Sequence, residues 1–231
     1  MIFEASFNIE IKTTVWLIAA VISAIVGIFF LRHANLEKEE MDAQLVSKVR
    51  LGYAIFFWGW AATRVLFVLS DYEMQREGTE TSAYLIYVFL GYITTIGALT
   101  ILSSILEPRI RENKKKIVTI ALSIAVLFSV IFAVVGIFQP EIIHLARIVI
   151  YILSGFAGAI IFGFYVYLIL KTTGDVRKRA GLNLLGISLI FLGQAFDSSL
   201  LIILFYPVIW LPGTISAIGV IVFFLGHKLS E

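Results

Sequence analysis

Seven stretches of this chain are each long and apolar enough to cross a lipid bilayer, and that recurrence limits the available folds more than any other feature. A membrane-spanning helix needs roughly 20 mostly apolar residues to cover about 30 Å of hydrocarbon. The runs are Thr14–Leu31, Leu51–Ser70, Ala83–Leu106, Lys116–Phe138, Ile143–Leu170, Ala180–Phe205 and Val208–Lys228. They leave the 231-residue chain 60% hydrophobic and 15% charged, where soluble domains carry about 45–50% apolar and about 25% charged residues. A chain of this composition has too few polar residues to cover its apolar surface in water, and it is too hydrophobic to remain disordered. The expected architecture is all-α: a polytopic integral membrane protein whose single domain, residues 1–231, is a seven-transmembrane-helix bundle. The first run is not read as a cleavable signal, because no basic segment precedes it and Arg32-His33 stands where small residues belong.

Positive charge assigns the orientation. Arg32, Lys38, Lys48 and Arg50 lie between the first two runs, and Arg109, Arg111, Lys114, Lys115 and Lys116 between the third and fourth. Lys171, Arg177, Lys178 and Arg179 follow the fifth, and Lys228 closes the last. That places fourteen cations on one side, against Lys12, Arg76 and Arg147 on the other. Lysine and arginine concentrate in cytoplasmic connections, so the N-terminus is expected outside and the C-terminus in the cytoplasm. The last two runs are separated only by Phe205–Gly213, where Pro207, Pro212 and Gly213 predict a tight apolar hairpin.

Several chemistries find no residues to carry them. The chain has no cysteine, which removes disulfides and thiolate chemistry. His33, His144 and His227 sit near different span ends and form no helical pair with another metal ligand. No lysine lies within a span to carry retinal, and Ser154-Gly155 has no accompanying base for nucleophilic catalysis. No enzyme activity, cofactor, metal site or nucleic-acid partner is expected.

The polar residues inside the apolar runs draw attention instead, because ionisable groups in hydrocarbon are costly and usually face an interior or a wet cavity. Arg64 lies in the second run and Asp197 in the sixth. At 1.5 Å per residue they stand roughly 20 Å and roughly 24 Å from the cytoplasmic starts of their runs, at comparable depth in the outer half. They are expected either to pair as a structural lock or to line an outward-opening pocket with Gln194, Ser198, Tyr87, Tyr92 and Arg147. A third arrangement turns Arg64 outward to Asp71.

Small residues four apart, such as Gly155 and Ala159, Ala159 and Gly163, or Gly213 and Ala217, let helices approach closely in lipid. Packing inside the bundle is the expected role, with a homodimer face on the fifth span as the alternative. The third span is rich in hydroxyls, and Glu107-Pro108 is expected to end it with the carboxylate hydrated. The function expected from these features is a receptor-like or sensory module. It binds a small ligand in the outer half and signals through a cytoplasmic or membrane partner protein. A small transporter or channel, or a non-catalytic accessory subunit of a membrane complex, is the alternative. The surroundings expected are a lipid bilayer, most simply a prokaryotic cytoplasmic membrane.

Overall fold

The computed structural model describes residues 2–36, 43–77, 81–110, 116–197 and 208–228, and these are helical almost throughout. We number the helices α1 (Ile2–Leu36), α2 (Ala43–Glu77), α3 (Ser82–Ile110), α4 (Ile117–Phe138), α5 (Ile143–Lys171), α6 (Gly174–Phe196) and α7 (Leu211–Lys228). Among the described residues, seven helices are long and apolar enough to cross a membrane. They correspond to the seven apolar runs of the sequence, with different ends.

Local chemistry explains several of those ends. Thr81 precedes α3, and its hydroxyl oxygen accepts a 3.2 Å hydrogen bond from the Tyr84 backbone N–H, an N-terminal cap. Between α4 and α5 the chain needs only Gln139 and a short 3-10 turn at Pro140–Ile142. Between α5 and α6, Gly174 adopts a φ of +62°, a left-handed conformation open to glycine at little cost. At α7, Pro212 falls in the first turn, where its missing N–H has no helical acceptor to lose. The helix therefore starts at Leu211 rather than at Val208. The first part of the expected hairpin, including Tyr206 and Pro207, lies outside the described residues, as do Ser198 and the end of the sixth run at Phe205.

Two expectations about α3 fail. The helix does not stop before Pro108 but runs through it to Ile110, with the proline in the final turns. Glu107 is not hydrated either; it is 1% exposed. Its carboxylate accepts hydrogen bonds from the backbone N–H groups of Val118 and Thr119 and from the Thr119 hydroxyl, each at 2.8 Å. These donors belong to the first turn of α4, whose N–H groups have no helical acceptor of their own. An anion there also meets the positive end of the helix dipole. The glutamate thus ties the end of α3 to the start of α4.

Helix α4 reads inside out compared with a helix in water. Its buried positions are Leu122, Ala125, Ser129, Ala133 and Gly136, mostly small. Its exposed positions include Ile117, Ile120, Ile124, Leu127, Ile131, Val134 and Phe138, an aliphatic stripe spaced by three and four residues. Water would drive that stripe inward, whereas in lipid helix contacts favour small residues and the large apolar ones face the acyl chains.

The chain divides into two compact units. One joins Met1–Ser23 to Phe162–Glu231, and the other is Ala24–Ile161. In the second, α2 packs along α3 and α3 along α4. Its core includes Leu85, Val88 and Phe89 of α3, Ala133 of α4, and Ala146 and Ile150 of α5. The Phe30 ring stacks against Phe57 with centroids 5.9 Å apart and lies 5.4 Å from Tyr53, joining α1 to α2. In the first unit, α6 and α7 are in backbone contact. A Cβ placed on Gly186 would lie 2.7 Å from the Gly219 carbonyl oxygen, and one on Gly219 would lie 2.6 Å from that of Gly186. Only two glycines facing one another allow this approach.

Candidate functional site

Arg64 and Asp197 belong to different units, the arginine to Ala24–Ile161 and the aspartate to the unit containing Phe162–Glu231. Each has a distinct set of neighbours within its own unit.

Arg64 is 1% exposed, in the body of α2. Its guanidinium carbon lies 4.2 Å from the centroid of Trp60 and 5.2 Å from that of Phe67. Those residues stand four before and three after it on the same helix, so one helical face brackets the cation between two rings. Ring faces carry negative potential, and a guanidinium held against them is stabilised more strongly when desolvated. The aromatic chain continues from Phe67 to Tyr92 of α3 at 5.0 Å, and from Tyr92 to Tyr151 of α5 at 4.9 Å. Arg147 lies 5.9 Å above the ring of Tyr84, and Tyr87 is half-buried on α3. Immediately before Arg64, the buried Thr63 hydroxyl lies 3.0 Å from that of Thr95 and 3.1 Å from the Gly91 carbonyl oxygen. Of the expected site residues, this unit therefore connects Arg64 with Tyr92 through Phe67, and it sets Arg147 against α3.

Asp197 is not inside a helix. The described part of α6 ends at Phe196, and Asp197 follows as its C-cap, donating its backbone N–H to Gly193 at 3.1 Å. Its carboxylate meets a residue left out of the expected site: Lys12 of α1, with Nζ 3.1 Å from Oδ1. The two side chains are 11% and 15% exposed, so both charges are largely withdrawn from solvent while keeping an opening to it. Gln194 lies one turn before Asp197, on the same side of α6. Its Oε1 is buried and accepts no hydrogen bond among the described residues.

The first half of α6 holds a second polar contact. Asn183, 3% exposed, has its amide nitrogen 3.1 Å from Nε2 of His227 on α7. Between the two contacts, the Ser216 hydroxyl donates to the Ile190 carbonyl at 3.0 Å, adding a hydrogen bond to the glycine contact. The phenyl ring of Phe223 meets Tyr165 of α5 edge to face, with centroids 6.4 Å apart.

Lys12 had a signal in the sequence. Trp16, Ala20 and Ser23 are buried and follow it by four, eight and eleven residues, the spacing of one helical face. Extending that face back one turn from Trp16 reaches Lys12. Counting the lysine only as a flanking charge hid its place on the packed side of α1. No protein-family model, no curated protein and no solved structure matches this chain.

Proposed function

We propose that the chain is a receptor-like, multi-pass membrane protein with its N-terminus outside, taking a small ligand at the outer end of α1 and α6. The observation that carries this reading is the Lys12–Asp197 ion pair, shielded at 11% and 15% exposure, with a buried Gln194 oxygen on the residue one turn before Asp197. A purely structural pair has no use for an amide acceptor left unsatisfied within one turn, since such a group costs about 1–3 kcal/mol. The fourteen-to-three imbalance of lysine and arginine supports the orientation that puts this end outside.

The same unit supplies a path for a signal. α6 runs from the ligand end to Arg177 and Lys178, which are exposed near its start, beyond the Asn183–His227 contact. Because Gly186 and Gly219 hold α6 and α7 in backbone contact, a displacement at Asp197 moves both helices together. The basic end they share is where a partner protein reads the change.

The absence of cysteine gives a direct test. A single Gln194→Cys variant is expected to react with a membrane-impermeant maleimide in intact cells, and Lys228→Cys only in inverted vesicles. Reaction of Gln194→Cys only in inverted vesicles, or only after denaturation, overturns the proposal.

A further inference from the structure

We propose that the basic end shared by α5, α6 and α7 is a docking surface for anionic phospholipid, with Lys171, Arg177, Lys178 and Lys228 holding the headgroup phosphates. The inference is separate from the ligand reading at Lys12 and Asp197. It concerns the start of α6, and it holds whether or not a ligand binds near the end of that helix.

Three observations lead there. The first is where packing puts the cations. α5 ends at Lys171 and α6 starts at Gly174, so only Thr172 and Thr173 lie between two helices of membrane-spanning length. The connection is drawn tight: the Thr172 backbone N–H donates to the Leu168 carbonyl at 3.0 Å, and its hydroxyl donates to the same oxygen at 2.6 Å. A two-residue turn gives the chain no length to carry these charges away from the bilayer. The last turn of α5 and the first of α6 therefore sit among the headgroups, whichever way the protein is inserted. α7 joins them, because Tyr165 of α5 meets Phe223 and a Cβ on Gly226 would lie 3.7 Å from the Arg179 carbonyl oxygen. Lys228 follows Gly226 by two residues, about 3 Å along the axis.

The second is charge left over. Lys171, Arg177 and Lys228 are exposed and form no ion pair among the described residues. Asp175 meets Lys178 at 3.5 Å, with both side chains about four-fifths exposed, and so exposed a pair contributes little and opens readily. Arg76 shows the contrast. Its guanidinium is met by Glu73 at 3.0 Å and by Glu77 at 2.9 Å on its own helix. The chain neutralises that arginine itself and leaves the charges around the start of α6 to something outside the protein.

The third decides between a lipid and an acidic protein. Gly174–Lys178 is exposed at every position, more than one full turn, so no side of the start of α6 is covered. Within that surface Val176 is 57% exposed, and Leu170, beside Lys171, is 75% exposed. Aliphatic side chains interleaved with cations match a phospholipid, which offers acyl chain and phosphate side by side. An acidic protein segment uses the charges and leaves the aliphatic groups uncovered. Arg177 can give one phosphate two parallel N–H bonds, and the lysines add point charges around it. A partner protein that reads the α6–α7 end meets it with this lipid in place.

The test compares the full chain in phosphatidylcholine nanodiscs and in nanodiscs of an equimolar mixture of phosphatidylcholine and phosphatidylglycerol. Lipid retained by the protein on release from the discs is identified by native mass spectrometry, and Tm is measured at low and high salt. The variants are Arg177→Gln/Lys178→Gln and Lys171→Gln/Lys228→Gln. The control, Arg32→Gln/Lys48→Gln, removes two cations from α1 and α2. All six positions are exposed, so the variants are expected to fold. Soluble polyglutamate added to the phosphatidylcholine discs stands in for an acidic protein.

The expected result is that phosphatidylglycerol is retained in preference to phosphatidylcholine and raises Tm, an effect that fades at high salt. Each cation removed around the start of α6 weakens that retention about fivefold, and the control keeps it. Equal retention in wild type and in both variants overturns the proposal. An equal loss in the control also overturns it, because the preference then follows net charge rather than this surface. If polyglutamate raises Tm and phosphatidylglycerol does not, the surface belongs to an acidic protein and the lipid proposal falls.

Discussion

The two units solve the same packing problem by opposite means. In Ala24–Ile161, rings do the filling: Phe30 against Phe57, Trp60 and Phe67 around Arg64, and Phe67, Tyr92 and Tyr151 in sequence across three helices. In the unit that contains α6 and α7, backbones meet directly at Gly186 and Gly219, and polar contacts stand on either side along α6, Lys12 with Asp197 and Asn183 with His227. Ring packing tolerates small readjustments of side chains, whereas backbone contact leaves nothing to move except a helix. The ring-packed unit is suited to holding its shape, and the glycine-packed pair to moving as one body.

The largest expected effect falls where the contact is tightest. Gly219→Leu inserts a side chain where a bare Cβ already comes within 2.6 Å of a carbonyl oxygen and 2.8 Å of the Ile190 nitrogen. Overpacking on this scale costs about 3 kcal/mol. In nanodiscs the variant is expected to lose most of its cooperative unfolding transition. An unchanged Tm removes the backbone contact from the comparison.

Next comes Glu107→Ala, which strips the acceptor from the Val118 and Thr119 N–H groups and the Thr119 hydroxyl together. Loss of a charged acceptor serving partly buried donors costs about 2 kcal/mol. Thr119→Val, which removes one of the three bonds, is expected to lower Tm by less than half as much. Equal shifts in the two variants break the account of Glu107 as a cap for the whole first turn of α4.

The places where the sequence misled share one physical cause. Hydropathy marks where a helix is apolar, not where it ends. α1 continues before Thr14 because Lys12 falls on its packed face and meets a carboxylate there. α2 continues past Ser70 to Glu77 because Glu73 and Arg76 pair at 3.0 Å along the helix surface. Glu107 looked like a terminal charge waiting for water because its donors belong to the next helix, and no local pattern announces them. Arg64 was legible because a lone arginine in an apolar run has no bland place to be. Lys12 was not, because a lysine at the edge of such a run is ordinary. The seven helices were thus readable from composition along the chain, while the contacts between helices depended on which face each charge occupies.

Arg64→Lys tests the aromatic side of the comparison at a smaller scale. A lysine keeps the charge but not the flat guanidinium that lies against Trp60 and Phe67. The expected cost is about 1 kcal/mol, read as a lower Tm with little change in ligand response if the site lies at Lys12 and Asp197. Loss of ligand response with an unchanged Tm moves the site into the second unit.

The smallest effect is expected on α5, and it limits how far the glycine argument extends. Gly155 and Gly163 share spacing with Ala159, the pattern that predicts close helix packing, yet a Cβ on either glycine meets nothing within 4 Å among the described residues. All three residues are exposed. Packing inside the protein does not account for this stripe as it accounts for Gly186 and Gly219. Gly155→Leu should therefore change stability by no more than about 0.5 kcal/mol, although the same substitution at Gly219 is disruptive. Mass measured by light scattering decides what the stripe serves. If the leucine variant unfolds like wild type but halves a dimeric mass, the stripe is a contact between copies, and small residues act in this chain on both sides of the helix surface. If mass and Tm both hold, spacing alone is no guide to contact here, and only the glycines that face a carbonyl of the opposing helix bear on the fold.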